Sequence, residues 1–219
     1  MVVSGQVFIV TKSRENIKLA LVEVAAIPES DLVKYVKIKR ASGAEKKELL
    51  KPAYDASLKD AAAASAAHAR AQEKMERATR ALLAGRGKET PIDESIRTLN
   101  VHTASIGVAE RANEVEYSRK MKALNLKSDI DYFDSGRFYF EGLPSASYAT
   151  KTDADGRFSL SLPEGKYVLA ATASREVGRR TEVYHWLVVI NAPNQALMLS
   201  NDNEFQTKCR ECVQPDAIP

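Results

Sequence analysis

Two hydrophobic periods divide this chain. Between residues 150 and 171, Phe158, Leu160 and Leu162 alternate with Ser159 and Ser161, the period of two that sends every second side chain to a buried strand face. Asp155-Gly156 before them and Pro163-Glu164-Gly165 after them are turn signals. Tyr167, Leu169 and Ala171 then alternate with Val168 and Ala170, so the next strand is apolar on both faces and is expected at the centre of a sheet. The same pattern predicts strands at residues 5–11, 17–27, 137–141, 147–151, 157–162, 166–174 and 181–191, seven in all, with a short edge strand at 196–199.

From Ser30 to about residue 126 the period becomes helical, with thirteen alanines between residues 53 and 84. Gly43 and Pro52 predict a kink or break. Leu50, Tyr54, Ser57, Ala61, Ala64, His68, Ala71, Met75, Ala78 and Leu82 recur at spacings of four and three, a heptad seam of mostly small residues that calls for a second helix alongside. A reversal follows at residues 85–91, and a second helix is expected over 91–124 with Ile92, Ile96, Leu99, Ile106, Val108, Ala112, Val115, Met121 and Leu124 as its apolar stripe. Closing the hairpin near Gly87 pairs residues whose numbers sum to about 174, with His68 beside Ile106 and His102 about one turn away. The arm, about 50 Å long, enters after Ile27 and leaves near Ser128, which makes it an insertion (28–128) within one β domain (1–27 and 129–205).

The run Thr-Asp-Ala-Asp-Gly-Arg-Phe-Ser-Leu-Ser-Leu-Pro-Glu-Gly-Lys-Tyr from Thr152 to Tyr167 resembles the signature of the carboxypeptidase regulatory-like family. Gly5-Gln6-Val7 matches that family's Gly-x-Val opening strand and Val22-Glu23-Val24 its Val-x-Val strand, while the Gly-x-Pro of the intervening turn is absent. The resemblance implies an α+β protein whose β part is a seven-stranded, transthyretin-like Greek-key β-sandwich carrying the inserted antiparallel two-helix arm. It also implies a periplasmic or secreted location if Met1 opens a trimmed mature form, and a cytoplasmic one otherwise.

Charge adds one alternative. The net charge is +3, but residues 28–128 hold 20 Lys and Arg against 14 Asp and Glu, and the remainder 12 against 15. A basic arm could bind nucleic acid or another polyanion. Arg70, Lys74, Arg77 and Arg80 share their helix with Glu73 and Glu76, so a solvated, mixed-sign face is the better reading and nucleic acid is disfavoured. No run reaches the ~18 apolar residues of a membrane span.

Candidate chemistry is sparse. Asp153-Ala154-Asp155-Gly156 opens like a calcium loop, but Arg157, Phe158 and Leu160 stand where later ligands belong, so it reads as a turn. Cys209 and Cys212 form one Cys-x-x-Cys, a local disulfide or two tail thiols in preference to half a zinc site, within a polar tail (206–219) expected to be disordered. A metal-dependent hydrolase would need His68, His102 and an acid to converge. Without an assembled motif, the expectation is a non-enzymatic interaction or structural module with no catalytic, cofactor or metal residues and no small-molecule substrate. Its partner is another protein or a second copy, met through apolar residues left outside the hairpin, namely Leu58, Leu83 and Val101.

Overall fold

The computed structural model describes residues 1–85, 91–191 and 196–205. Both Cys209 and Cys212, the expected tail and most of the hairpin's reversal lie outside the described residues. The elements run β1 (Val2–Val10), β2 (Asn16–Lys18), β3 (Glu23–Pro28), α1 (Glu29–Ala84), α2 (Ile92–Tyr132), α3 (Gly136–Phe140), β4 (Tyr148–Lys151), β5 (Arg157–Ser161), β6 (Tyr167–Val177), β7 (Arg180–Val189) and β8 (Ala196–Leu199). The protein is therefore α+β, with two long helices and two four-stranded sheets. Eight strands are present among the described residues, and β8 falls where a short edge strand is expected beside the seven.

The chain forms two compact units, Met1–Lys46 with Asp131–Pro219, and Lys47–Ile130. In the first unit β1 is the hub of one sheet: β5 and β2 pair antiparallel with its first and second halves, and β8 runs parallel to it. The other sheet is antiparallel in the order β4-β3-β6-β7. Its strand β3 lies before the helices in sequence, yet pairs with β4 through Ala25–Ala149 and with β6 through Ala26–Leu169, both of which come after them.

Val3, Val7, Val24, Phe158, Leu160, Leu169 and Trp186 pack into one apolar cluster with residues from both sheets. Trp186 is fully enclosed and satisfies its polar edge by donating from Nε1 to the Ser200 carbonyl at 2.7 Å. The second sheet is covered on its other face too, where Ile27, Val168, Ala170 and Leu187 meet Leu32 and Val36 of α1 and Phe138 and Tyr139 of α3. This double burial is why residues 167–171 are apolar without alternation.

Three local expectations are corrected. The run 17–27 is two strands, because Ala20 and Leu21 turn and Leu21 takes a left-handed φ of 59°. Buried Thr152 holds that turn: its Oγ1 donates to the Leu19 carbonyl at 2.8 Å and accepts from the Val22 N–H at 2.9 Å. Residues 137–141 are mostly the short helix α3 and not a strand, since Ser135 caps it by accepting from the Phe138 N–H at 3.3 Å. Finally, α1 continues through Pro52 without a break. At Gly43, an added Cβ would lie 3.2 Å from the Phe138 ring, so this glycine admits an aromatic side chain to the helix surface.

The Asp153 turn is built as the sequence suggests. Asp153 Oδ1 accepts from the Asp155 and Arg157 N–H groups at 2.9 and 2.8 Å, and Gly156 takes a φ of 72°. A Cβ at Gly156 would fall 2.5 Å from the Val7 carbonyl.

Candidate interaction surface

The second unit is built from one face of α1 and one of α2. On α1 the enclosed positions include Ser57, Ala61, Ala64, His68, Ala71, Met75 and Ala78, which is the seam expected. On α2 they include Thr98, His102, Ser105, Ile106, Gly107, Ala109, Ala112, Glu116, Ala123 and Leu126, most of them at heptad spacing. This corrects most of the expected stripe on α2: Ile106 and Ala112 are partly enclosed, but the inward face is mainly small and polar, while Ile92, Ile96, Leu99, Val108, Val115, Met121 and Leu124 are exposed.

Cross-helix hydrogen bonds and an ion pair set the register. Ser65 Oγ donates to Glu116 Oε1 at 2.8 Å, and His68 Nδ1 contacts Glu116 Oε2. His102 Nε2 bonds Thr79 Oγ1 at 3.2 Å, and Arg119 donates to Asp60 at 3.4 Å. These pairs place residues level when their numbers sum to about 181, one heptad beyond the expected 174. At 174, Glu116 would sit level with Leu58, away from Ser65 and His68; the polar groups select the other register.

Lys120, one turn along α2, completes the group around Glu116. Together Lys120, then Ser65 and His68, pull the Glu116 carboxyl down to about 2. His68 and His102 do not meet. Their partners Glu116 and Thr79 lie at different levels, and Thr79 is eleven residues beyond His68 along α1, about 16 Å. Among the described residues, no group of three His, Cys, Asp or Glu side chains is placed to share a metal ion.

The three residues singled out for partner contact are all exposed, but they divide. At ~100° per residue, Leu58 and Leu83 lie on the side of the hairpin marked by Ser65, together with Ile92, Ile96, Leu99, Tyr117, Met121 and Leu124. Val101 lies on the other side, with Val108, Val115 and the Asp60–Arg119 pair. Bulk is a misleading mark of the inner face on α2, where most of the large apolar side chains point outward. The available signal was α1 itself, whose small seam calls for small residues opposite.

The first unit has an open pocket of about 320 Å³ beside Phe140, lined by Ala25, Ile27, Leu143 and Ala170 with Glu23 and Thr172 also on its wall. Nearby, burial pushes the His185 imidazole below its usual value; its ring packs on Phe140 with centroids 4.5 Å apart. No helix among the described residues is long and apolar enough to cross a membrane.

Comparison with protein-family models, with curated proteins and with solved structures gives no match for this chain.

Proposed function

We propose that this protein is a non-enzymatic interaction module: a carboxypeptidase regulatory-like, transthyretin-like Greek-key sandwich whose inserted helical hairpin contacts another protein chain. The family reading rests on the Thr152–Tyr167 motif and on the two sheets joined by strands from both sides of the insertion. The interaction reading rests on one observation. Helix α2 turns most of its large apolar side chains outward, with Ile92 78% and Tyr117 68% exposed, while Ala109, Ala112 and Ala123 face in. Exposed apolar groups at the two ends of this side, Ile92 with Ile96 and Leu99 and Tyr117 with Met121 and Leu124, are of the kind that marks a contact site.

Photo-cross-linking tests it. A benzophenone amino acid at Ile96 or Tyr117 in the full chain should give cross-linked protein in the source cell, and one at Val183 in β7 should not. Absence of any cross-linked species at both arm positions would refute the reading.

A further inference from the structure

We propose that the open pocket beside Phe140 binds a free α-amino acid with an apolar side chain, such as leucine or phenylalanine. The proposal concerns the β unit and goes beyond the reading of the helical hairpin as a contact surface. It rests on the outer face of the sheet β4-β3-β6-β7, where two rows of side chains with different chemistry lie next to one another.

The first row is small and apolar. Ala149, Ala25, Ala170 and Leu187 stand level across the four strands. Alanine at positions 25 and 170 keeps the floor of the sheet low, and Phe140, Leu143 and Pro144 stand over it without filling the space, which amounts to about 320 Å³. That is the small end of the range for ligand pockets and suits one aliphatic or aromatic side chain.

The second row lies two residues further along the strands, about 7 Å away, and is polar. Glu23 pairs with Lys151 across β3 and β4, Thr172 pairs with His185 across β6 and β7, and the Val24–Ala171 register brings Glu23 and Thr172 level. Glu23 and Thr172 line the apolar pocket and also an adjoining polar hollow of about 440 Å³, to which Lys151, Lys18 and Ser174 contribute. The two hollows therefore join into one groove with an apolar end and a charged end. Lys18 is already engaged by Asp155, and the Thr172 hydroxyl is held 3.2 Å from Nδ1 of His185. Glu23 and Lys151, by contrast, have no ion-pair or hydrogen-bond partner for their side chains among the described residues.

An α-amino acid matches this arrangement group by group. Its ammonium and carboxylate share one carbon, and Glu23 and Lys151 present the opposite charges from strands about 4.8 Å apart. The side chain on the same carbon enters the apolar end, and the Thr172 hydroxyl is placed to bond either charged group. Charge rules out simpler occupants. An amine without a carboxylate would bring its charge beside Lys151, and a fatty acid would bring its own beside Glu23. A peptide lacks one of the two charges at either of its ends.

Titration of the full chain with L-leucine or L-phenylalanine, followed by amide NMR, should shift Ala25, Ala170 and Thr172 saturably with a dissociation constant of about 1 mM or below, the scale of one buried side chain with exposed ion pairs. Ala64 and Ala109 of the hairpin should not move. Leucinamide and N-acetyl-leucine, each lacking one charge, should bind at least about five-fold more weakly than leucine, and Glu23→Gln or Lys151→Gln should each weaken leucine about three- to five-fold. Both side chains are exposed, so these variants should keep the wild-type far-UV circular dichroism. Ala25→Leu, which fills the apolar end, should abolish the shift at Thr172. No saturable shift up to about 20 mM of either amino acid, leucinamide or N-acetyl-leucine binding as tightly as leucine, or a Glu23→Gln chain that binds leucine unchanged would each overturn the proposal. None of these outcomes touches the hairpin reading, which stands or falls on cross-linking at Ile96 and Tyr117.

Discussion

Thr152 opens the turn-rich run that ends at Tyr167, and its hydroxyl does a task that no hydrophobic pattern shows. It donates to Leu19 and accepts from Val22, closing the turn at Leu21 from inside the protein. Thr152→Val keeps the shape and leaves a buried N–H and C=O without that partner, so it should cost about 2–4 kcal/mol in denaturant unfolding. A loss below ~1 kcal/mol would show that the turn holds itself. Leu21 explains why the sequence reads as one strand through this region. A leucine in the left-handed region is uncommon, and nothing local announces it; the turn is imposed by Thr152, 131 positions away. The Asp153–Gly156 turn was legible because Gly156 carries its own conformational reason.

Glu116 supplies the residue-scale pH dependence. Its folded-state pKa falls from 4.5 to about 2, so the stabilisation is complete above about 4.5 and is lost as pH falls towards 2. Thermal unfolding followed by helical dichroism should therefore drop across that window, and Glu116→Gln should flatten the drop. For His185 the buried imidazole is held below 6.5, so its contribution is complete above 6.5 and declines as pH falls from there. His185→Phe should remove that decline, and an unchanged profile between pH 7 and 5 would show that the ring takes up its proton equally well in both states.

At the scale of elements, the helices were readable and their pairing was only half so. The seam of α1 follows from spacing alone, since its small residues repeat through about six turns from Ser57 to Ala78. The seam of α2 does not, because two stripes on that helix have heptad spacing and the more hydrophobic one points outward. The aromatic run Phe138-Tyr139-Phe140 misleads in a similar way, having strand propensity but an N-cap serine before it. Pro52 was expected to break α1 and does not, with 23 helical residues before it and 32 after. The proline still removes one hydrogen bond and crowds the preceding turn, so Pro52→Ala should raise stability by up to about 3 kcal/mol. A destabilised variant would mean that the proline ring contributes packing to the seam beside Leu50 and Tyr54.

For the whole molecule, the strand order carries the main lesson. That β3 belongs with β4 and β6 could be inferred because neither terminal fragment has enough strands to cover its own apolar faces. The assignment of strands to two sheets, and the eighth strand added parallel to β1, depend on long-range pairings that no window of sequence contains. If β3 is integral to the sheet, the amides of Ala26 and Leu169 should exchange with solvent at one common slow rate. An Ala26 amide exchanging orders of magnitude faster would place β3 outside the cooperative unit.

The same interleaving has a consequence in time. When β3 leaves the ribosome, both strands that flank it are still unmade, and about 120 residues must be added before β4 begins. At ~5–20 residues per second, that is a delay of about 6–24 s. For that interval Val24, Ala26 and Ile27 belong to a nascent strand with two open edges, while α1 and α2 can already fold as a local hairpin. The arm is thus positioned to mature first, and the sheet's earliest strand must be kept from other nascent chains until its neighbours arrive.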